Sequence, residues 1–443
     1  MEIAAQLKAL EDKVAQALEQ AKKLGATGAE AGAGIGWGLS VSARMGEVET
    51  MEHHRDQSVA VTVYFGQRKG SASTTDLSHA SLRETVEAAC VIAKHANEDP
   101  YAGLPDPDHL AREIPDLDLY HPWPLSAEEA IETAIACEKV ALQYHREIVN
   151  SEGASVHTHQ GVRVLGNTLG FLHGYPASRH SVSCAVVGER DGQMQRDYWY
   201  TVARDPEELE SPESVGRKAA ERTIARLGAR SLTTRQCPVI FAAEVATGLI
   251  GHFLAAVRGG NLYRRASFLV DSLGKQVFPE FVHIHEEPHI PKGIGSAPYD
   301  NEGVATYPHD LIHQGTVASY ILDSYSARKL GMTTTGNAGG VHNVLVDPGS
   351  LDRSGLLREM GTGLLVTELM GHGINLVTGD YSRGAAGFWV ENGEIQHPVE
   401  EITIAGNLKD MFRNLVGIGR DVDRRGNIRT GSIWLAEMTV AGD

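Results

Sequence analysis

Pro238-Val239-Ile240-Phe241-Ala242-Ala243-Glu244-Val245-Ala246-Thr247-Gly248-Leu249-Ile250-Gly251-His252-Phe253-Leu254-Ala255-Ala256-Val257 is a run of twenty residues with a single acid. Its length matches a bilayer span, but a central carboxylate is costly in hydrocarbon. The run also opens on Val239-Ile240-Phe241, a strand-like triplet, and then carries Gly248 and Gly251. A buried strand feeding a buried helix is the better reading, and it places this part of the chain in a globular core.

Composition agrees. The chain has 443 residues, more than one hydrophobic core usually serves, so two or three domains are expected. Forty Lys and Arg against fifty-seven Asp and Glu leave a formal charge of −17, which repels phosphate backbones and anionic lipid and argues against nucleic-acid and membrane partners. The opening Met1-Glu2-Ile3-Ala4-Ala5-Gln6-Leu7 has acid where a secretory signal needs base, which predicts a cytoplasmic protein. Four cysteines, at positions 90, 137, 184 and 237, lack zinc-ribbon spacing and disulfide density, so they read as buried thiols.

Upstream, Ile3, Leu7, Leu10, Val14, Leu18 and Ala21 recur every three or four residues, so 2–24 form an amphipathic helix ended by Gly25. From Leu39 to Ser73 the period falls to two, as in a meander of strands, and Ser81-Leu82-Arg83-Glu84 has the form of a capping box opening a second helix. Six of the seventeen prolines fall between Pro100 and Pro124 and mark a linker. Ser126-Ala127-Glu128-Glu129 caps a helix running to about His145, strands follow at Ser155–Val164 and Ser181–Val187, and a further helix covers Pro212–Leu227. The region after Val239 reads as mostly antiparallel sheet, with Asn392-Gly393 a type I′ hairpin turn. The expected fold is α+β: an N-terminal helix and antiparallel-sheet domain (1–99), a Pro-rich linker (100–125), a middle α+β segment (126–230) and a β-rich C-terminal domain (231–443).

No G-x-G-x-x-G, G-x-x-x-x-G-K-[ST] or G-x-S-x-G occurs, so nucleotide loops and a nucleophile elbow lack local support. A literal H-E-x-x-H does occur, at His285-Glu286-Glu287-Pro288-His289. Its zinc chemistry requires a helix, which Pro288 and the strand-like alternation of Phe281-Val282-His283-Ile284-His285 contradict. A polar strand end followed by a loop is expected there. Glu368 and His372 could share a helical face, but two ligands do not make a site. On composition alone, His252 reads as a satisfied core histidine.

The stretch from Phe241 through Arg258-Gly259-Gly260-Asn261-Leu262-Tyr263-Arg264-Arg265 resembles the TldD/PmbA family of bacterial peptidase proteins. So do Phe268-Leu269-Val270-Asp271-Ser272-Leu273-Gly274-Lys275, Pro298-Tyr299-Asp300-Asn301-Glu302-Gly303-Val304, Ser324-Tyr325-Ser326-Ala327-Arg328-Lys329-Leu330-Gly331 and Gly379-Asp380-Tyr381-Ser382-Arg383-Gly384-Ala385-Ala386-Gly387-Phe388. The likeness spans nearly the whole chain, is densest from 238 to 410, and favours the PmbA branch, also called TldE. It implies an N-terminal α/β domain, a β-rich C-terminal domain and a cleft between them.

In the TldD branch the corresponding helix carries H-E-x-x-x-H, and a later cysteine adds a zinc ligand. Placed on this sequence, the motif falls on Thr247-Gly248-Leu249-Ile250-Gly251-His252, so Thr247 and Gly248 replace the first histidine and the general base, and no cysteine follows Cys237. The resemblance thus implies no catalytic residue and no metal in this chain, with zinc held by a TldD-type partner subunit. The pair would act as a cytoplasmic peptidase on small or unfolded peptides. His252, Tyr381 and Arg383 are the expected cleft residues, the latter two on a glycine-rich turn. Two alternatives stay open: an autonomous zinc hydrolase using His285, Glu286 and His289, and a non-enzymatic peptide-binding or regulatory protein. Without its partner, a two-fold homodimer is the default expectation.

Overall fold

The computed structural model describes residues 3–442. Its first helix, α1 (Ile3–Lys23), buries the stripe Leu10, Val14, Ala17, Leu18 and Ala21, as its periodicity predicts. Six antiparallel strands follow: β1 (Gly28–Arg44), β2 (Glu47–Phe65), β3 (Arg68–Thr74), β4 (Ile148–Asn167), β5 (Leu172–Arg190) and β6 (Gln193–Ala203). They form one sheet in the order β3-β2-β1-β4-β5-β6, leaving β6 on an edge. Odd-numbered residues of β1 all face the helices: Ala29, Ala31 and Ala33 meet α1 and α2 (His79–His95), while Leu39, Val41 and Ala43 meet α3 (Ala127–Tyr144) and α4 (Pro212–Arg226). The even positions of the same strand hold Gly32, Gly34, Gly36 and Gly38. A Cβ on Gly38 would lie 2.0 Å from the Thr158 carbonyl oxygen, which is why a side chain is excluded there.

β1 pairs with both β2 and β4, so the segments before and after the proline-rich stretch build a single sheet. That stretch is a strap between this sheet and the rest of the chain: Ala111 N–H donates to Gly303 O at 2.9 Å, and Ser178 N–H to Leu119 O at 2.9 Å.

The second half begins where the decisive run begins. β7 (Arg235–Phe241) leads directly into α5 (Ala243–Ala256), whose Leu249, Ile250, Phe253 and Leu254 are buried. A short α6 (Gly259–Tyr263) follows, then a small sheet ordered β10-β9-β8-β11-β16, made of β8 (Ile284–Glu286), β9 (His309–His313), β10 (Thr316–Val317), β11 (Val344–Val346) and β16 (Ile428–Arg429). Helices α7 (Ser324–Leu330), α8 (Arg353–Met360) and α9 (Leu408–Arg413) lie among the remaining strands β12 (Gly363–Met370), β13 (Asp380–Glu391), β14 (Glu394–Asn407), β15 (Leu415–Ile418) and β17 (Ile433–Ala441). β7 pairs in parallel with β12 and antiparallel with β17, and β14 returns to pair with β17, closing a barrel of β7, β12, β13, β14 and β17 with β15 outside it. The Asn392-Gly393 turn joins β13 to β14 with φ of 54° and 76°, as a type I′ hairpin needs.

Several local expectations shift. The meander starts at Gly28, because β1 runs through its glycines before the alternation becomes visible. The second helix is capped by Ser78, whose side chain accepts from Ser81 N–H, so Ser81 sits inside the helix that it was expected to open. The stretch 380–387, read as a turn, lies on β13, since only Gly379 before it has positive φ (88°). Glu368 lies on β12 and His372 beyond its end, so the two share no helical face.

Candidate functional site

A cleft of about 390 Å³ opens between the two halves. One wall is the edge strand β6, through residues 196–200, backed by Arg222 of α4; the other is the first turns of α5, the end of β12 and Arg383 of β13. Charge holds the walls together. Arg222 reaches Asp197 at 3.2 Å on its own side and Glu244 at 2.8 Å across the cleft, while the second oxygen of Glu244 lies 3.1 Å from Arg353. Burial disfavours the ionised form of Glu244, but Arg353 and Arg222 outweigh it and hold the carboxyl below the usual range. Arg226 bridges Asp197, at 3.7 Å, and Glu368. Trp199 gives the cleft its apolar surface, with the Arg425 guanidinium 3.8 Å above its ring and Arg222 at 5.4 Å.

Arg383 differs from these cations. It pairs with no carboxylate among the described residues, and its buried Nε lacks a hydrogen-bond partner, although its guanidinium does hydrogen-bond the Tyr381 phenol. Such a donor costs about 1–3 kcal/mol until something accepts from it.

Of the three expected cleft residues, Arg383 lines the cleft, whereas Tyr381 is packed away at 2% exposure, two residues along the same face of β13. His252 is half-buried and meets the Tyr381 ring edge-on, with centroids 5.9 Å apart. Burial, with Arg383 adding to it, pushes the His252 imidazole down to about 4, so it is neutral at physiological pH. Burial raises the Tyr381 phenol to about 12 against the pull of Arg383.

On α5, Thr247 Oγ1 donates back to Glu244 O at 3.2 Å, and Gly248 faces open space. Among the described residues, two groups of three His, Cys, Asp or Glu have donor atoms close enough to share a metal, and neither includes His252. All four cysteines are buried, and Cys237 lies on β7 before the helix.

The H-E-x-x-H segment is a strand end followed by a turn, and on the strand His285 and Glu286 point to opposite faces. Glu286, 1% exposed, accepts from Asn337 Nδ2 at 2.9 Å, His342 Nδ1 at 2.8 Å and the His342 N–H. Against the cost of burial, these donors keep it ionised below the usual range. His289 Nε2 is engaged with Thr306 Oγ1 at 2.9 Å. The trio His285, Glu286 and His289 therefore shares no centre and has no carboxylate free to activate water.

The sequence reading missed Trp199, Arg222 and Arg425. They reach the cleft from β6, α4 and the loop before β16, and no local pattern signals that convergence.

The fold and the cleft define a two-unit α+β protein with a polar cleft between an open antiparallel sheet and a closed β-barrel. Models of the PmbA/TldA metallopeptidase family match it throughout: domain 1 over residues 29–93, the central domain over 120–227 and the C-terminal domain over 234–442. The chain is 52% identical over 441 residues to Metalloprotease PmbA of Escherichia coli O157:H7, covering 100% of this chain and 98% of that one. It belongs to this metallopeptidase family, on the PmbA (TldE) branch. Among solved structures it superposes with TM-score 0.92 and 25% identity on a Bacteroides thetaiotaomicron protein described as a candidate modulator of DNA gyrase, covering 98% of both chains. TldE of Thermococcus kodakarensis shares the fold at TM-score 0.83 and 19% identity, over 97% of this chain and 100% of that one.

Proposed function

We propose that this chain is the non-catalytic subunit of a cytoplasmic TldD–PmbA zinc peptidase and supplies one wall of a cleft for extended peptides. The observation that carries this reading is the donor set on α5. A catalytic zinc needs three protein ligands and a water, and this helix offers Thr247, already bonded to its own backbone, Gly248 with no side chain, and His252 packed against Tyr381. That set does not fit zinc, so no hydrolytic step is assigned to this chain.

The cleft itself fits a peptide. β6 is an edge strand, and an extended chain can add to such an edge through main-chain hydrogen bonds. Two outward groups are already capped, Tyr198 N–H by Asp197 Oδ1 at 2.7 Å and Tyr200 O by Arg425 Nη1 at 3.5 Å, and a peptide would replace these contacts. Arg383, a cleft-lining cation with no carboxylate partner among the described residues, supplies positive charge for a peptide carbonyl or terminal carboxylate, and Trp199 an apolar face. Mixing the chain with a TldD-type subunit and assaying an unstructured peptide tests the proposal. Cleavage faster than by that subunit alone is expected; an unchanged rate favours a regulatory protein without a peptidase role.

A further inference from the structure

Away from the cleft, the small sheet brings His283, His285, His313, Asp310 and Asp347 together. His283, just before β8, and His285 within it share a face of the strand by its two-residue period, with ring centroids 4.9 Å apart. β11 runs antiparallel beside β8, and Asp347 at its end donates its N–H to His283 O at 3.1 Å. This pairing puts the Asp347 carboxylate between the imidazoles: Oδ2 is 2.9 Å from His283 Nδ1 and Oδ1 is 3.6 Å from His285 Nδ1.

The His285 contact points to a ligand. Its Nδ1 is buried and has no hydrogen-bond partner, although a carboxylate oxygen faces it beyond bonding distance. Nitrogen and oxygen ligands about 2.0–2.1 Å from a tetrahedral ion lie about 3.4 Å from each other, which is close to this spacing. We propose that His283, His285 and Asp347 form a binding site for one divalent transition-metal ion with the ligand preferences of zinc or nickel, a class that favours imidazole donors.

The surroundings suit that role. His283 Nε2 lies 2.8 Å from Asp310 Oδ1, whose other oxygen is 2.9 Å from His313 Nδ1, and Glu287 Oε1 stands 3.9 Å from His285 Nε2. A carboxylate behind a ligating imidazole fixes the ring and raises its basicity. The ion would replace the proton that now joins His283 Nδ1 to Asp347. With the three side chains 31%, 20% and 51% exposed, it would keep water ligands and exchange readily. It would pin β8 to β11, apart from the cleft, and is independent of the peptidase reading.

The test is calorimetric titration of the chelator-stripped full chain with zinc and, separately, nickel. One ion per chain is expected, with binding weakened at least tenfold in both His285→Ala and Asp347→Asn. The Asp347 variant, altered at a half-exposed side chain, keeps the test informative if His285→Ala fails to fold. No binding at micromolar metal overturns the proposal. So does loss of binding in His313→Ala with retention in His285→Ala, which would place the ion on the Asp310 side of His283.

Discussion

Arg383 lines the cleft while His252 sits behind it against Tyr381, and the two make opposite demands on their surroundings. Arg383 brings a charge with no acidic partner, so its replacement should be felt by whatever accepts from it. Charge-assisted hydrogen bonds contribute about 1.5–3 kcal/mol, and Arg383→Ala in the two-subunit complex is expected to raise KM for peptide by about tenfold or more. An unchanged KM would remove Arg383 from the peptide path. His252 is instead kept neutral. Its imidazole is pushed from 6.5 to about 4 by burial and by Arg383, the cation nearest it, with Tyr381 packed on its edge. Between those values the unfolded chain binds the extra proton, so the stabilising contribution is full above pH 6.5 and is lost as pH falls toward about 4. Denaturant titrations across that window should give a shallower loss for His252→Gln than for the unaltered chain. Asp300, raised to about 7 mainly by burial, slopes the opposite way, so the comparison must be between variants rather than of one curve.

At the scale of elements, the sequence is most legible where local chemistry decides. The capping box at Ser126 and Glu129 forms as read, with both reciprocal bonds present. Asn392-Gly393 turns as its dipeptide requires, and Gly393 is doubly constrained: its φ is 76°, and a Cβ would come within 2.7 Å of Arg358 Cα. Gly393→Ala should therefore cost at least about 1–2 kcal/mol, visible as a lowered thermal midpoint. Legibility fails where long-range pairing decides. No local signal marks β4 as the neighbour of β1, more than a hundred residues away, or the closing of the barrel by β14 and β17. Thr247, Gly248 and His252 could be compared with a family motif because they are contiguous on one helix. The His283, His285 and Asp347 group was not, because the histidine alternation lies in plain view but its aspartate arrives on a different strand.

For the whole molecule, the question is what keeps the two halves in register across the cleft. Glu244 on α5 is held by Arg222 from the first sheet unit and Arg353 from the second, and Arg226 extends the bridge to Glu368. Removing Glu244 takes a charge-assisted hydrogen bond from each arginine but leaves Arg222 on Asp197 and Arg353 on Asp421, both at 3.2 Å, a loss of about 1.5–3 kcal/mol. Glu244→Ala is expected to separate urea unfolding into two transitions, the halves melting in turn; a single transition with an unchanged midpoint would show that the strap and the apolar contacts alone hold them together. The chain carries no helix long and apolar enough to cross a membrane among its described residues, and the run that opened the reading is spent on β7 and on α5, whose first turns form one wall of the cleft. The central proposal is that this helix holds no catalytic zinc and that the hydrolytic chemistry belongs to a TldD-type partner. The most direct test measures peptide cleavage and zinc content for the purified chain, for a TldD-type subunit, and for their mixture, repeating the mixture with Asp347→Asn. The expected result is an inert lone chain, whatever zinc it carries, and a mixture that cleaves faster than the TldD-type subunit alone and is unaffected by the Asp347 change. Zinc-dependent cleavage by the lone chain would contradict the account.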